Sequence, residues 1–285
     1  MKSTPRDIPI SVIVITQNEE LSLPDCLRTL QRFSEVYVVD SASTDRTLEI
    51  AEEFGAKPVS FVWNGVYPKK KQWALDTLPL SHDWVLFLDA DERVNPALAA
   101  EFAAFVTDPG SAVAMDVMLR YSFLGKELKY GHLVEKRILL NRRKVYFPPV
   151  DDLAVSNMWE VEGHYQPICE GEIVQAATRL DHHDDDPLFG YFSRHNRYSD
   201  WEAYLRLHPE VRRSVAASRS KQGKLFDKIP GKPLLFFLYA YIARQGFRDG
   251  RAGFHYAMAL SFYYWQIHVK TVELRGTVGA AGGHA

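Results

Sequence analysis

Asp89 and Asp91 stand one residue apart where the apolar run WVLFLD, residues 84–89, gives out, and Glu92 and Arg93 follow at once. Two carboxylates so close repel each other and are costly at the end of a strand buried on both faces, so a neighbouring cation is the natural compensation. An all-oxygen site of this kind favours Mg²⁺ or Mn²⁺, and Mg²⁺ is usually shared between one or two carboxylates and a substrate's phosphates. A nucleoside diphosphate supplies such phosphates. The same aspartates also suit a plain turn and helix cap, and the two residues by themselves leave that choice open. Asp40 poses a similar choice at the end of EVYVVD, residues 35–40. There a carboxylate can accept from a base N–H or a sugar hydroxyl, or it can form the turn that precedes SASTDRT.

The elements that must position these groups are legible as alternating patterns. PISVIVIT, EVYVVD, KPVSFVW and WVLFLD read as strands. Between and after them LPDCLRTLQRF, TDRTLEIAEEFG, PKKKQWALDTL and NPALAAEFAAFV read as helices, with Gly55 as a stop, Asn95 as an N-cap and Pro96 at the first helical position. This βαβαβαβα series predicts a three-layer α/β/α sandwich around a mostly parallel sheet. Ligands in such folds sit outside the carboxyl ends of the strands. The clusters Thr16 to Glu19, Asp40-Ser41 and Asp89 to Asp91 therefore converge on one edge. After about residue 111 the short strands VAMDVMLRY, KRILLN and EIVQAATRL extend the same sheet, and from Pro187 onward the chain reads as helical.

Composition narrows the class. The chain has 285 residues, is 46% hydrophobic and 25% charged, and carries a formal net charge of −2. It can bury a full core, and it offers no global positive field for nucleic acid. Cys26 and Cys169 lie far apart without metal-type spacing, which fits a reducing compartment, and residues 1–9 do not resemble a signal peptide. A cytoplasmic location is the expectation. Neither the dinucleotide fingerprint nor the P-loop occurs, so phosphates must be held by metal and side chains.

ISVIVITQNEE, VYVVDSASTDRTLEIAEEFGAK and DWVLFLDADERV resemble, in order and spacing, the three nucleotide-site motifs of family 2 glycosyltransferases. The nearest branch is the group that builds bacterial lipopolysaccharide cores and other surface polysaccharides. The resemblance covers about the first 110 residues and implies a GT-A fold and sugar transfer from a nucleoside diphosphate with inversion. By motif, Thr16, Asn18 and Glu19 resemble the first nucleotide contact, Asp40 the base-reading carboxylate, Asp89 the ribose or metal-side acid and Asp91 the metal ligand. In KKKQWAL, Lys71 matches a basic diphosphate position, while Gln72 stands where the family has Asn; Lys69 to Lys71 also read as a solvated helix start. VYFPPVDDLAV places Asp152 where the family carries its base carboxylate, with Asp151 as rival. In RLDHHDDDP, His182 matches a histidine near the metal and is a third candidate ligand, against the plainer reading of a polar loop. FSRHNRYSDWEA offers Arg194 or Arg197 to anions.

The resulting domain expectation is a catalytic domain over 1–186, divided into a nucleotide-binding half (1–110) and an acceptor half (111–186). A helical membrane-associating extension follows over 187–275, with a flexible tail at 276–285. Between Arg212 and Lys232 there are seven Lys/Arg against one Asp, and the apolar runs PLLFFLYAYIA and GFHYAMALSFYYWQIHVKTVEL come after. Neither uninterrupted run reaches the roughly 20 residues needed to span a bilayer. They suit a protein lying on the anionic inner face of the cytoplasmic membrane, or else ordinary helix packing or a dimer interface. YIARQGFRDGRAGFHYA also resembles the end of the same glycosyltransferase group. The expected enzyme is a metal-dependent hexosyltransferase using Mg²⁺ or Mn²⁺, a nucleotide-sugar donor and a lipid-linked or glycan acceptor. The rivals are a sugar nucleotidyltransferase, which would want a Gly-rich basic loop where TQNEELS is acidic, and a catalytically inactive GT-A-like scaffold.

Overall fold

The computed structural model describes residues 7–149, 166–183, 188–216 and 231–281. β1 (Ile8–Thr16) is apolar on both faces and lies between parallel partners, as such a run must. Its neighbours are β2 (Phe33–Asp40), which pairs in turn with β3 (Lys57–Ser60), and on the other side β4 (Trp84–Asp89). The crossovers are α1 (Leu23–Thr29), α2 (Thr47–Glu53) and α3 (Lys70–Thr77). A two-residue strand β5 (Glu92–Arg93) then leads into α4 (Pro96–Thr107). Asn95 caps α4 as expected, its side chain accepting from the Leu98 amide at 3.0 Å, and Gly55 ends the α2 turn at φ +70°.

The second half adds β6 (Ala112–Arg120), a hairpin of β7 (Ser122–Phe123) and β8 (Lys126–Glu127), β9 (Glu135–Asn141) and β10 (Val145–Tyr146). β11 (Ile168–Cys169), β12 (Glu172–Gln175) and β13 (Leu180–His182) complete the strands described. The main sheet runs β3-β2-β1-β4-β9-β6-β13-β5, with β12 also on β6. It is the extended, mostly parallel sheet that the sequence implies, with β9 antiparallel between β4 and β6.

Period-2 alternation assigns the two faces. Val12, Val14, Val38, Leu86 and Leu88 meet α1, α2 and α4, whereas Ile13, Tyr37, Val39, Val85 and Phe87 meet α3 and Trp201 of α5 (Leu188–Leu207). A third apolar cluster lies beyond the sheet. It joins Phe123, Leu128 and Tyr191 to α7 (Lys232–Leu238) and α8 (Gly250–Ala281), which are connected by a π turn (Tyr239–Ala243) and a 3-10 turn (Gly246–Asp249); α6 (Pro209–Ala216) follows α5. Backbones approach closely here: a Cβ on Gly253 would lie 2.0 Å from the Gly246 carbonyl oxygen.

Three local readings are corrected. The third strand stops at Ser60 instead of running on to Trp63. EIVQAATRL is two strands, because the Glu101 carboxylate accepts from the Ala177 and Thr178 amides at 2.6 and 2.9 Å and draws the chain out of the ladder. Lys69 and Lys70 do not make a solvated helix start. They are 2% and 1% exposed, with their ammonium groups over the rings of Trp63 and Phe61 at 5.4 and 6.0 Å. Among the described residues, no helix is long and apolar enough to cross a membrane.

Candidate active site

The parallel sheet brings the predicted residues to one edge, and there they form two networks. In the first, Thr16 and Asp40 are register partners at the ends of β1 and β2, and the Thr16 hydroxyl donates to Asp40 Oδ1 at 2.9 Å. Asp40 is fully buried and also accepts from the Ser43 amide at 2.8 Å and from the Ser43 hydroxyl. Asn18 takes a left-handed conformation, φ 56°, which asparagine tolerates. Its amide donates to Ser43 Oγ at 2.7 Å and its Oδ1 accepts from the Thr44 amide at 2.8 Å. The Glu19 amide donates to Thr47 Oγ1 at 2.8 Å. Thr16, Asn18, Glu19 and Asp40 thus bind the loops after β1 and β2 into one rigid rim.

The second network lies two strands away. Asp89 pairs with Ile15, so its parity is that of the α3 and α5 face, whereas Asp40 continues the opposite one. Lys136 Nζ donates to Asp89 Oδ2 at 2.6 Å and to Glu92 Oε1 at 2.5 Å. Its origin is the antiparallel pairing of β4 and β9: the ladder ends at Leu86 opposite Leu139, and beyond it the two strands run on to Asp89 and Lys136, whose side chains meet. Glu92 is fully buried, and its Oε2 accepts from the Asp89 amide at 2.9 Å. Burial would weaken the Lys136 ammonium, but Asp89 and Glu92 outweigh it and hold the group firmly protonated. Burial likewise pushes the Asp89 carboxyl up, yet Lys136 and then Lys71 hold it well below the usual carboxylate range. Glu92 is pushed up by burial and by the charges of Asp89 and Asp91.

Asp91 and His182 meet beside this triad. His182 lies on β13 opposite Glu92 of β5, and its Nε2 is 3.3 Å from Asp91 Oδ2. The His183 amide donates to the Asp91 carbonyl at 2.9 Å and closes the turn. Burial depresses the imidazole, but the Asp91 hydrogen bond and the charges of Asp91 and Glu92 prevail and raise its pKa. Asp91 Oδ1 and His182 Nδ1 are both buried without a hydrogen-bond partner. A buried carboxylate oxygen with nothing to accept is the kind of orphan that a cation resolves. One carboxylate and one imidazole fit a divalent ion that takes its remaining ligands from phosphate and water. No set of three His, Cys, Asp or Glu able to hold a metal occurs among the described residues, and Asp89 Oδ2 is already occupied by Lys136.

The remaining expectations separate cleanly. Lys71 is close enough for its charge to act on Asp89. Gln72 instead supports the fold: it is 7% exposed, donates to Asp76 Oδ1 at 2.7 Å and accepts from the Phe147 amide at 2.7 Å. Lys70 Nζ donates to the Thr16 carbonyl at 3.0 Å and so ties α3 to the first network. On α5, Tyr198 is pushed up to about 12 by burial and by the charge of Asp89, against which Arg194, Lys136 and Arg197 act. Asp151, Asp152 and the candidate base function lie outside the described residues. Sequence reasoning assigned no role to Glu92, Lys136 or Tyr198. For Lys136 only the antiparallel register carries the signal.

A family model described as "Glycosyl transferase family 2" matches residues 11–159, just over half of the chain. The lipopolysaccharide core biosynthesis glycosyltransferase LpsC of Rhizobium meliloti (strain 1021) is 27% identical over 274 residues, which cover 93% of each chain. An uncharacterised glycosyltransferase of Rickettsia typhi is 26% identical over 272 residues, 93% of this chain and 87% of that one. Among solved structures, glucosyl-3-phosphoglycerate synthase from Mycobacterium tuberculosis with Mn²⁺, uridine diphosphate and phosphoglyceric acid gives a TM-score of 0.45 at 19% identity, covering 69% of this chain and 77% of that chain.

Proposed function

The chain belongs to glycosyltransferase family 2, and from that premise we propose that it moves a hexose, with inversion, from a nucleoside diphosphate to a lipid-linked surface glycan. Family membership sets aside the nucleotidyltransferase reading. The likeness to a lipopolysaccharide core enzyme along almost the whole chain supports an acceptor of the lipopolysaccharide class.

The observation that carries the reading is the buried, unpaired Oδ1 of Asp91 beside His182 at the carboxyl edge of the sheet. Asp91 and His182 would hold Mg²⁺ or Mn²⁺, which when bound neutralises the charge that develops on the departing diphosphate. The chain's own groups do the rest. Lys136 bridges Asp89 and Glu92 and offsets half of their combined charge, which keeps Asp89 ionised and able to accept from a donor hydroxyl. The charge of Lys71 acts on Asp89 and suits it to meet the diphosphate of a donor held at Asp91. Thr16, Asn18, Glu19 and Asp40 form the wall for the nucleoside, with Asp40 oriented by its three donors. Asp152, with Asp151 as the rival, takes the proton from the acceptor hydroxyl as general base.

Thermal shifts with a panel of nucleoside diphosphates, with and without Mn²⁺, test this. One nucleotide should stabilise the protein only with the metal, and Asp91→Ala should abolish that shift. A shift that survives the substitution removes Asp91 from the site. Asp152→Asn should stop transfer while leaving the nucleotide shift in place; full retained turnover moves the base elsewhere, and no turnover in the unaltered protein with any donor supports the inactive scaffold.

A further inference from the structure

α8 is apolar on both sides. Its inner side carries Tyr256, Ala257 and Leu260, buried in the third apolar cluster, and the buried Ile267. Its outer side carries Phe254, Met258, Phe262, Trp265, Val269 and Val272, each between 37% and 53% exposed. Their spacings of four, four, three, four and three residues put them on one stripe of the helix, which spans roughly 27 Å at 1.5 Å per residue. Exposed polar residues such as His255, His268 and Glu273 lie between the two apolar stripes, so the helix packs one stripe on the fold and leaves the other uncovered, as a helix lying on a lipid surface does. The patch extends beyond α8 through ring contacts: Phe192 of α5 meets Phe262 at 6.5 Å, Phe262 stacks on Trp265 at 5.3 Å, and Tyr241 meets both Phe254 and the 49% exposed Phe247.

Positive charge gathers at one end of this stripe. Arg244, Arg248 and Arg251 are all exposed around Phe247 and Phe254. The acid among them, Asp249, is 3% exposed and spends its carboxylate on the Lys129 and Tyr130 amides at 3.0 and 2.8 Å. Arg248 lies over the Tyr130 ring at 4.1 Å. Beside it opens a cavity of ≈ 250 Å³ lined by Lys129, Tyr130, Arg244 and Gln245. An exposed aromatic and aliphatic stripe with arginines at its border is complementary to an anionic lipid surface, which offers acyl chains to the first and phosphates to the second.

We propose that the outer face of α8, with Phe247 and the Arg244, Arg248 and Arg251 cluster, is the surface by which this protein docks on an anionic membrane. The proposal rests on the membrane-linked acceptor of the reading above and gives it a geometry. On the opposite side of α8, Tyr256 touches Tyr121 at 5.6 Å, and Tyr121 touches His182 at 5.3 Å. The helix itself, about 10 Å across with its side chains, therefore separates lipid from the site, a distance suited to a glycan that stands just above its lipid anchor.

Flotation of the full chain with phosphatidylcholine vesicles, and with vesicles in which a third of the lipid is phosphatidylglycerol, tests the proposal without any donor or metal. The protein should float with the anionic vesicles, and less so as salt rises. The triple variant Phe254→Ser, Phe262→Ser, Trp265→Ser and the triple variant Arg244→Gln, Arg248→Gln, Arg251→Gln should each bind on the order of 100-fold more weakly. Both should keep the wild-type nucleotide-induced thermal shift, so failure of the docking surface and failure of the donor site are read separately. Should the serine variant not fold, quenching by brominated lipid serves instead: it should fall when Trp265→Phe is compared with wild type. Absence of vesicle binding, or binding untouched by these changes, overturns the proposal. So does a concentration-dependent dimer that the serine variant dissolves without any vesicle binding, because a second copy would then own the face.

Discussion

At the amino edge of the parallel sheet, Glu35 accepts from the Ser11 hydroxyl and the Ser81 amide at 2.6 Å each, and from Lys57 and the Ser81 hydroxyl at 3.2 Å each. At the carboxyl edge, Asp91 keeps Oδ1 buried with no partner at all. Both carboxylates sit at strand ends; Glu35 is buried as a whole, whereas the Asp91 side chain is 29% exposed and only its Oδ1 is shut off from water. Glu35 has its acceptor capacity filled by the chain itself, so its interactions are complete in the folded protein and serve stability. Asp91 is left incomplete, which a stable fold tolerates only where something else completes it. The triad of Lys136, Asp89 and Glu92 lies between these extremes, next to Asp91 but internally satisfied.

Substitution should divide the two edges sharply. Asp91→Ala should lower transfer by about 10³-fold, on the order of 4 kcal/mol of barrier, while the unfolding free energy of the ligand-free protein from urea titration falls by only about 1 kcal/mol, the worth of the Oδ2–His182 contact, because no hydrogen bond to Oδ1 is lost. Equal losses of turnover and stability would make Asp91 a structural carboxylate like Glu35. Lys136→Met comes next, at about 3 kcal/mol of unfolding free energy, because it strands a buried Glu92 without its cation. Chemical denaturation measures it, and the double variant Lys136→Met, Glu92→Gln should recover much of the loss. Glu35→Gln should cost about 2 kcal/mol, since the neutral amide cannot accept all four bonds, with transfer kinetics unchanged. A kinetic defect there would show that the amino edge is coupled to the site.

The comparison also separates what was legible in the sequence from what was not. β1 to β4 and α1 to α4 follow from local patterns: apolar runs, the Asn95 cap, the Gly55 stop. The Asp89, Asp91 and His182 positions follow from short motifs at strand ends. The insertion of β9 between β4 and β6 depends on pairing with β4 residues more than fifty positions away, and no local pattern encodes it. Lys136 was invisible for that reason, since its role exists only once the register sets it against Asp89. Lys69 and Lys70 misled in the other direction. A run of three lysines reads as a solvated face, yet the Trp63 and Phe61 rings and the Thr16 carbonyl receive two of them indoors. The outer stripe of α8 could be read as apolar, but its exposure could be found only by placing the inner face.

The smallest expected effect, and the one that tests the contrast most directly, is on pH. Burial pushes Glu35 up, but the Ser11 and Ser81 hydrogen bonds and Lys57 outweigh it and lower its pKa. Its contribution is therefore complete above its unfolded pKa of about 4.3 and is lost as pH falls through the lower folded value. His182 has the opposite sign. Its folded pKa is raised, so the Asp91–His182 pair contributes fully below the unfolded value of about 6.5 and fades as pH rises through the higher folded one. In metal-free buffer, urea midpoints against pH should show both limbs, with Glu35→Gln flattening the acid limb alone and His182→Gln the upper limb alone. Mn²⁺ with a nucleoside diphosphate should then reverse the upper limb, because the imidazole must shed its proton to become a ligand, while the acid limb stays as it was. If the upper limb keeps its sign with both present, Asp91 and His182 are a closed structural pair, and the two edges of the sheet differ only in degree.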